Sequence, residues 1–211
     1  MQIVVATGNE GKLREISNVL SGLQCHCEAS LPKQSSILPI QILSLKDFPG
    51  IKPGEEDGHT YLENARKKAL PIVQKLNQWA LADDTGLEVE ALQGAPGLHA
   101  ARYAGPDCLP ADNIKKMLTE LKGIPFPKRK ALFKTVMVLL GPKGEEYVAE
   151  GILPGYIAEQ PAGTHGFGYD PIFYIPSLKK TLAQLTPLEK NKISHRAQAL
   201  LNLAGILKNL S

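Results

Sequence analysis

The hydrophobic pattern of the chain begins with a strand followed by a helix. Residues 3–6 form a short β-branched run, and polar and glycine residues at positions 7–11 interrupt it. Apolar side chains then recur at helical spacing across residues 12–20, which predicts an amphipathic helix. The next stretch, residues 30–57, is irregular and rich in proline, serine and glycine, with room for one strand near residues 41–45.

A second helix is predicted from its capping signal. Thr60 stands three positions before Glu63, which is the spacing of a capping box. The helical pattern continues through Ala69, and Pro71 within it should kink or split the helix. Residues 112–122 carry a further amphipathic helical pattern.

Two acidic residues follow an apolar run in the middle of the chain. Residues 79–82 predict a strand, and Asp83 and Asp84 come directly after it. We therefore expect this strand to carry both carboxylates at its tip. Residues 87–92 alternate between apolar and acidic positions, as a separate strand with one exposed face would.

The second half of the chain predicts a hairpin and a final helical region. A glycine- and proline-containing turn separates two β-rich runs, a short strand follows later, and Thr186, Pro187 and Glu189 supply the start of a helix. The predicted elements are strands at 130–140 and 145–151, an extension of the second strand over 152–158, a strand at 172–174, and a helical region reaching residue 210.

Composition places the chain among globular proteins. Its 211 residues are 43% hydrophobic and 21% charged, which excludes a disordered chain. The formal net charge of +3 comes from scattered lysines, so we expect no nucleic-acid partner. The length, with no repeat and no separating linker, predicts one large domain or two intimate lobes.

Cysteine usage and hydropathy indicate the cellular environment. Three cysteines are too few for a disulfide framework, and no apolar run approaches the about 18 residues that a membrane span needs. We therefore expect a soluble, cytoplasmic protein without a membrane partner. The Cys25-His26-Cys27 sequence lacks a second pair at zinc spacing, so we interpret these residues as small hydrophobes in or beside a strand rather than as metal ligands.

The first candidate site lies at residues 7–12, between the first strand and the first helix. Free backbone N–H groups and the positive end of a helix bind anions, and Lys12 adds a full positive charge. The sequence is not a Walker A loop, because only two residues separate its glycines. An ordinary strand-to-helix turn with a surface lysine explains the loop equally well.

The second candidate site consists of acidic pairs. Glu55 and Glu56 alone would be interpreted as a solvated loop. Asp83 and Asp84 differ, because adjacent carboxylates repel each other unless a cation lies between them. Mg²⁺ fits best, since it takes carboxylate oxygens together with substrate phosphates. A phosphate site beside an acid cluster indicates metal-assisted phosphoryl or nucleotidyl chemistry.

Two further groups could contact a flat ligand. The glycine-rich loop at residues 163–171 holds Phe167 and Tyr169, whose rings could stack on a base or pack in a core. Lys190 and the His195-Arg196 pair could donate hydrogen bonds to base carbonyls or to phosphate, although such a pair on a helix is often only solvated.

Together, these motifs closely resemble the inosine triphosphate pyrophosphatase family, the house-cleaning enzymes that act on ITP, dITP and XTP. The likeness spans nearly the whole chain, and the order of the motifs makes it specific. In order, they are Ala6-Thr7-Gly8-Asn9-x-x-Lys12, Glu56-x-Gly58-x-Thr60-x-x-x-Asn64-Ala65-x-x-Lys68-Ala69, Ala82-Asp83-Asp84-Thr85-Gly86-Leu87, Gly94-Ala95-Pro96-Gly97, Ala101-Arg102-Tyr103, Gly166-Phe167-Gly168-Tyr169-Asp170-Pro171 and Ser194-His195-Arg196.

The resemblance implies a role for each matching residue. Asp84 would be the catalytic base, with Lys12 and Lys68 near the phosphates. The implied metal set is Glu56 and Asp84 with Asp83 in support. The residues implied to bind substrate are Thr7, Gly8, Asn9, Glu10, Gly11, Lys12, Thr85, Phe167, Gly168, Tyr169, Asp170, Lys190, His195 and Arg196, the last two at the 6-oxo group of the purine.

The resemblance also implies an α/β fold in one domain over residues 1–211. This fold would have a long twisted mixed sheet with helices and two lobes flanking an active-site cleft, and the protein would form a homodimer. The expected reaction is Mg²⁺-dependent hydrolysis of the α–β phosphoanhydride to a nucleoside monophosphate and pyrophosphate. Two alternatives remain open on the sequence. One is a nucleotide pyrophosphatase of different base preference, and the other is a non-catalytic nucleotide-binding module.

Overall fold

The computed structural model describes residues 2–30 and 41–208, with side chains over 2–20 and 41–206. These residues form a mixed α/β fold with an open twisted sheet, as expected. The strands are β1 (Gln2–Val5), β2 (Gln41–Ser44), β3 (Trp79–Val89), β4 (Pro96–Gly97), β5 (Lys130–Leu140), β6 (Glu146–Ile157), β7 (Phe173–Ile175) and β8 (Lys180–Thr181). The α-helices are α1 (Glu10–Ser30), α2 (Tyr61–Leu76), α3 (Pro110–Glu120), α4 (Pro187–Ile193) and α5 (His195–Lys208).

The sheet contains both parallel and antiparallel strand pairs. Its order is β2-β1-β3-β5-β6-β7-β8, and β4 pairs with β3 beside this path. β1 is parallel to both neighbours, with Val4 opposite Leu43 of β2 and Ala80 of β3. The pairs β6–β7 and β7–β8 are antiparallel. Helices α1 and α2 are the crossover connections that parallel strands require.

The chain divides into two compact units. Unit 1 comprises Met1–Asp84, Val136–Glu150 and Arg196–Ser211, and unit 2 comprises Thr85–Thr135 and Gly151–His195. The expected single domain and the expected cleft therefore stay predictions.

Each unit has its own apolar core. In unit 1, side chains of β1 alternate between two clusters, because successive strand residues point to opposite faces. Ile3 and Val5 belong to one cluster, and Val4 and Ala6 to the other. Unit 2 has a cluster built around Leu87, Phe133, Phe173 and their neighbours.

Helix α2 continues through Pro71, so the prediction that the proline splits it is wrong. Thr60 caps the helix as predicted, its side chain accepting a hydrogen bond from the Glu63 N–H. Pro71 has no N–H to donate to the Lys67 carbonyl. Gly54 packs against that carbonyl so closely that an added Cβ would lie 2.1 Å from the Lys67 oxygen.

The strand that carries the acids is longer than predicted. β3 continues through Asp83 and Asp84, so both lie within the strand rather than at its tip, and residues 87–89 belong to the same strand. The predicted extension of the hairpin is confirmed, since β6 reaches Ile157.

The helix boundaries also differ from expectation. α1 begins at Glu10, so the last part of the predicted loop is its first turn. Residues 25–27 lie on this helix and not in or beside a strand, and their side chains fall outside the described residues. The last helical region is interrupted at Ser194, which ends α4 before α5 begins. Of the irregular stretch, residues 31–40 lie outside the described part, and the strand expected near 41–45 is confirmed as β2.

Within residues 2–30 and 41–208, no helix has the length and apolar character that crossing a bilayer demands.

Candidate functional site

The turn between β1 and α1 is organised by two short polar side chains. Thr7 Oγ1 accepts a hydrogen bond from the Asn9 N–H at 3.1 Å, and Asn9 Oδ1 accepts one from the Lys12 N–H at 3.1 Å. Asn9 therefore caps the first turn of α1, where free N–H groups and the helix dipole favour an anion. Gly8, Asn9 and Glu10 are exposed.

Asp83 is the centre of a buried ion-pair network in unit 1. It is 2% exposed, and its Oδ2 lies 3.0 Å from Lys12 Nζ and 3.3 Å from both Nε and Nη2 of Arg196. Burial alone would raise the pKa of the Asp83 carboxyl. Lys12, Arg196 and Lys68 outweigh it and hold that pKa well below its usual range. Arg196 Nη1 also pairs with Glu15, so one guanidinium joins two carboxylates.

Asp84 is buried beside this network and is held at both carboxylate oxygens. Its Oδ1 lies 3.1 Å from Lys68 Nζ, and its Oδ2 accepts a hydrogen bond from Asn64 Nδ2 at 3.0 Å. Burial raises the pKa of the Asp84 carboxyl, and Lys68 and Asn64 oppose this only in part. Asp84 is thus a more basic carboxylate than Asp83, although the two are neighbours in the chain.

Lys68 connects the carboxylates that come from different segments. Its Nζ lies 2.9 Å from Glu56 Oε1 and 2.8 Å from the Asp83 carbonyl oxygen, in addition to its contact with Asp84. Burial lowers the pKa of Lys68, but Asp83, Asp84 and Glu56 together reverse this and raise it.

The cluster fits a divalent cation by its donor chemistry. Glu56 and Asp84 offer the hard carboxylate oxygens that Mg²⁺ takes together with substrate phosphates. The four carboxylates at Glu15, Glu56, Asp83 and Asp84 outnumber the cations of Lys12, Lys68 and Arg196 by one. Among the described residues, no group of three or more His, Cys, Asp or Glu side chains could by itself hold a metal.

Unit 2 contains a second group of predicted site residues. The Phe167 N–H donates to Asp170 Oδ2 at 2.8 Å, and the same carboxylate pairs with Lys190. Lys190 Nζ lies 4.7 Å from the centre of the Phe167 ring. Asp170 and Lys190 are buried, whereas Phe167 is partly exposed.

Tyr169 resolves one of the alternatives left by the sequence. Its ring belongs to the apolar core of unit 2, and its hydroxyl donates to the Ala100 carbonyl at 2.8 Å. The Tyr169 ring is therefore part of the apolar core, and its role in substrate binding stays a prediction. Gly168, beside it, adopts a φ of 60°, a conformation that favours glycine.

The remaining predicted residues are placed as follows. The His195 ring stacks on Phe133 at 4.6 Å, and Thr85 Oγ1 lies 2.7 Å from Thr135 Oγ1, all within unit 2. His195 and Arg196 were expected to act together on the base. They belong to different units, because the division falls between them, and their joint contact with a base stays a prediction.

Sequence reasoning missed two contributors to the unit 1 cluster. Asn64 lies four residues before Lys68 and Glu15 three residues after Lys12, so each shares a helix face with a predicted residue. This spacing is a signal that could have identified both.

The fold and these clusters define a class of protein. It is an α/β protein in which unit 1 has a lysine-bearing helix start beside paired carboxylates, and unit 2 has a partly exposed aromatic ring with a lysine over it. The chain belongs to the Ham1 family, whose model matches residues 3–206.

Named relatives cover the chain from end to end. It is 46% identical to the dITP/XTP pyrophosphatase of Thermoanaerobacter pseudethanolicus, over 100% of this chain and 98% of the relative. It is 45% identical to the dITP/XTP pyrophosphatase of Elusimicrobium minutum, over 99% of this chain and all of the relative. The solved structure of a HAM1 protein from Coxiella burnetii superposes with a TM-score of 0.82 at 37% identity, covering 99% of both chains.

Proposed function

We propose that this chain is an enzyme that hydrolyses ITP, dITP and XTP to the nucleoside monophosphate and pyrophosphate, and so removes unusual purine nucleotides from the nucleotide pool. The observation that carries the proposal is the buried Asp84 carboxylate, held at both oxygens beside a cationic helix start. Full-length similarity to relatives named dITP/XTP pyrophosphatase supports the choice of substrates.

The triphosphate is proposed to lie at the start of α1. Backbone N–H groups of residues 7–11 and the Lys12 ammonium would bind its oxygens, since both are positive and lie near an exposed surface. The Glu10 side chain would stay outside, because it pairs with Lys46 at 2.6 Å. Lys68, which contacts Glu56 and Asp84, would also bind phosphate oxygens.

Glu56 and Asp84 are the proposed ligands of Mg²⁺. The bound ion would neutralise charge on the phosphate oxygens. Asp83 is proposed to act differently from the expected ligand role. Its Oδ2 already pairs with Lys12 and Arg196, so the Asp83 carboxylate would hold the Lys12 ammonium at the proposed phosphate site.

Asp84 is also the proposed general base. A carboxylate that is shielded by a metal ion stays ionised at neutral pH, so Asp84 could accept a proton. It would orient the attacking water and take its proton. Lys68 and Asn64 fix the direction of its oxygens during this step.

The base and sugar are proposed to bind at the unit 2 residues. The Phe167 ring would stack on the purine, with Gly168, Asp170 and Lys190 fixing that ring. His195 would donate to the 6-oxo group, which adenine lacks, and Thr85 would contact the nucleotide. The guanidinium of Arg196 already pairs with Asp83 and Glu15, so the contact of Arg196 with the base that the resemblance implies stays a prediction. A base that leaves buried donors without an acceptor can be disfavoured, in kcat/KM, by a factor of about 10⁴–10⁵.

The assembly and location are further proposals. We propose one functional domain over residues 1–211, acting as a homodimer in the cytoplasm, with no nucleic-acid or membrane partner. Size-exclusion chromatography with light scattering tests the dimer.

One assay tests the reaction and its selectivity. Purified protein and Mg²⁺ are incubated separately with ITP, XTP, dITP, ATP and GTP, and the products are resolved by ion exchange. Monophosphate and pyrophosphate from the first three are expected. Comparable rates on ATP would refute the selectivity, and release of orthophosphate would refute the cleavage site.

A substitution tests the base. Asp84→Asn should lower turnover by about 10²–10⁴-fold, the usual contribution of a general base, while nucleotide binding is retained. Asp107→Asn is the matched control, because Asp107 is an exposed acid in unit 2. A variant Asp84→Asn with near-normal turnover removes Asp84 from the base role.

A further inference from the structure

The Asn64 side chain connects the two segments that carry the proposed metal ligands. Its Oδ1 accepts a hydrogen bond from the Gly58 N–H at 2.8 Å, and its Nδ2 donates to Asp84 Oδ2 at 3.0 Å. Asn64 is 1% exposed, so water does not compete for either bond. We propose that Asn64 is a positioning residue that fixes the Asp84 carboxylate relative to the segment bearing Glu56.

The partners leave only one orientation for the amide. A backbone N–H requires the amide oxygen, and a carboxylate requires the amide nitrogen. In a flipped amide, the Asn64 NH₂ group would face the Gly58 N–H, and the Asn64 oxygen would face the Asp84 carboxylate, so neither hydrogen bond could form. The orientation of the Asn64 side chain is thus fixed by its partners. The side chain therefore fixes the Gly58 segment relative to Asp84.

The spacing of Asn64 and Lys68 on α2 explains why both reach Asp84. Residues four apart share one face of a helix. From this face Lys68 contacts Oδ1 of Asp84 and Asn64 contacts Oδ2. The carboxylate is held by two anchors on one rigid element, so it cannot rotate without losing a hydrogen bond.

The segment bearing Glu56 is fastened to the same helix. Glu56 pairs with Lys68, Asp57 with Lys67 at 2.7 Å, and the Gly58 N–H with Asn64. Gly58 approaches so closely that an added Cβ would lie 2.8 Å from Asn64 Oδ1. Two of these contacts continue directly to Asp84, one through Lys68 and the other through Asn64.

This inference rests on the proposed function, because it gives Asn64 its importance through Glu56 and Asp84. Groups that orient metal ligands typically change metal affinity or activity by about 10–100-fold when removed. Asn64→Ala should therefore lower kcat and raise the Mg²⁺ concentration for half-maximal activity, each by about tenfold or more. The KM for ITP should change by less than about threefold, because the residue contacts neither phosphate nor base in the proposed arrangement.

A matched control separates this role from ordinary packing. Asn113 is likewise a buried asparagine on a helix, and its side chain bonds the Ala104 N–H and the Ala101 carbonyl. Asn113→Ala should cost similar stability but leave the Mg²⁺ half-saturation unchanged. Gly58→Ala displaces the Asn64 amide without removing it, and provides a second variant if Asn64→Ala does not fold.

The experiment measures kcat, KM and Mg²⁺ half-saturation for these variants, with isothermal titration of Mn²⁺ into the nucleotide-free proteins. Weaker Mn²⁺ binding in Asn64→Ala or Gly58→Ala than in Asn113→Ala supports the positioning role. The positioning role is overturned if Asn64→Ala, Gly58→Ala and Asn113→Ala bind Mn²⁺ with equal affinity. It is also overturned if the unmodified protein does not bind Mn²⁺. If the unmodified protein binds Mn²⁺ but does not hydrolyse ITP, the proposed function fails, and the comparison of affinities still decides the role of Asn64.

Discussion

Asp83→Asn tests how much the buried ion-pair network contributes to stability. The substitution keeps the shape of the side chain and removes only its charge, so it creates no cavity. Removing one partner of a buried ion pair typically costs about 3–5 kcal/mol, because an uncompensated charge stays in the interior. Two features of the structure favour the lower end of that range. The Lys12 side chain is 17% exposed and can reach water, and Arg196 keeps Glu15 as a partner.

We therefore expect Asp83→Asn to lower the free energy of unfolding by about 3 kcal/mol. For a chain of this size, that corresponds to a fall in Tm of about 6–12 °C. The measurement is guanidinium unfolding together with a thermal scan, both with a chelator present so that no metal contributes. Asp57→Asn is the control, since it removes a carboxylate from an exposed pair with Lys67 and should leave stability close to that of the unmodified protein. A loss below about 1 kcal/mol for Asp83→Asn would mean that Lys12 and Arg196 find other partners, and would refute the reasoning.

Three other outcomes are expected. Phe167→Leu should raise the KM for ITP by about tenfold with little change in kcat, because an aromatic face contributes about 1–3 kcal/mol to base stacking; an unchanged KM in steady-state kinetics would exclude stacking at this ring. Thr60→Ala should destabilise the protein by about 1 kcal/mol through loss of the α2 cap, read as a shift in the guanidinium midpoint, while Thr60→Ser restores it. Chelation should abolish ITP hydrolysis, and added Mg²⁺ should restore it; turnover that survives chelation would contradict the proposed role of Glu56 and Asp84.

Elements with strong local signals could be predicted from the sequence. Thr60 and Thr186 cap α2 and α4 as their spacing indicated, because a cap depends on residues three positions apart. The path of β3 could not be predicted in the same way. Thr85 and Gly86 follow the acids as turn residues would, and only pairing with other strands keeps the chain extended there.

The same distinction applies to the candidate site. The order of its motifs brought Lys12, Glu56, Lys68 and Asp84 into one hypothesis, and the structure gathers these side chains in unit 1. Their roles stay predictions. Helical spacing could have indicated that Glu15 and Asn64 share a face with Lys12 and Lys68. It could not have indicated that Arg196 pairs with Asp83 or that Asn64 bonds Asp84, because these partners are distant in sequence and only the fold brings them together.

The close packing of Gly54 on the Lys67 carbonyl has a consequence for how this chain can change length. Between that glycine and Thr60, almost every residue has an assigned partner on α2, so an added or deleted residue would misalign Glu56 with Lys68. A circular permutation or inserted tag within the six positions that follow Gly54 is therefore expected to separate Glu56 from Lys68 and to disturb the start of α2.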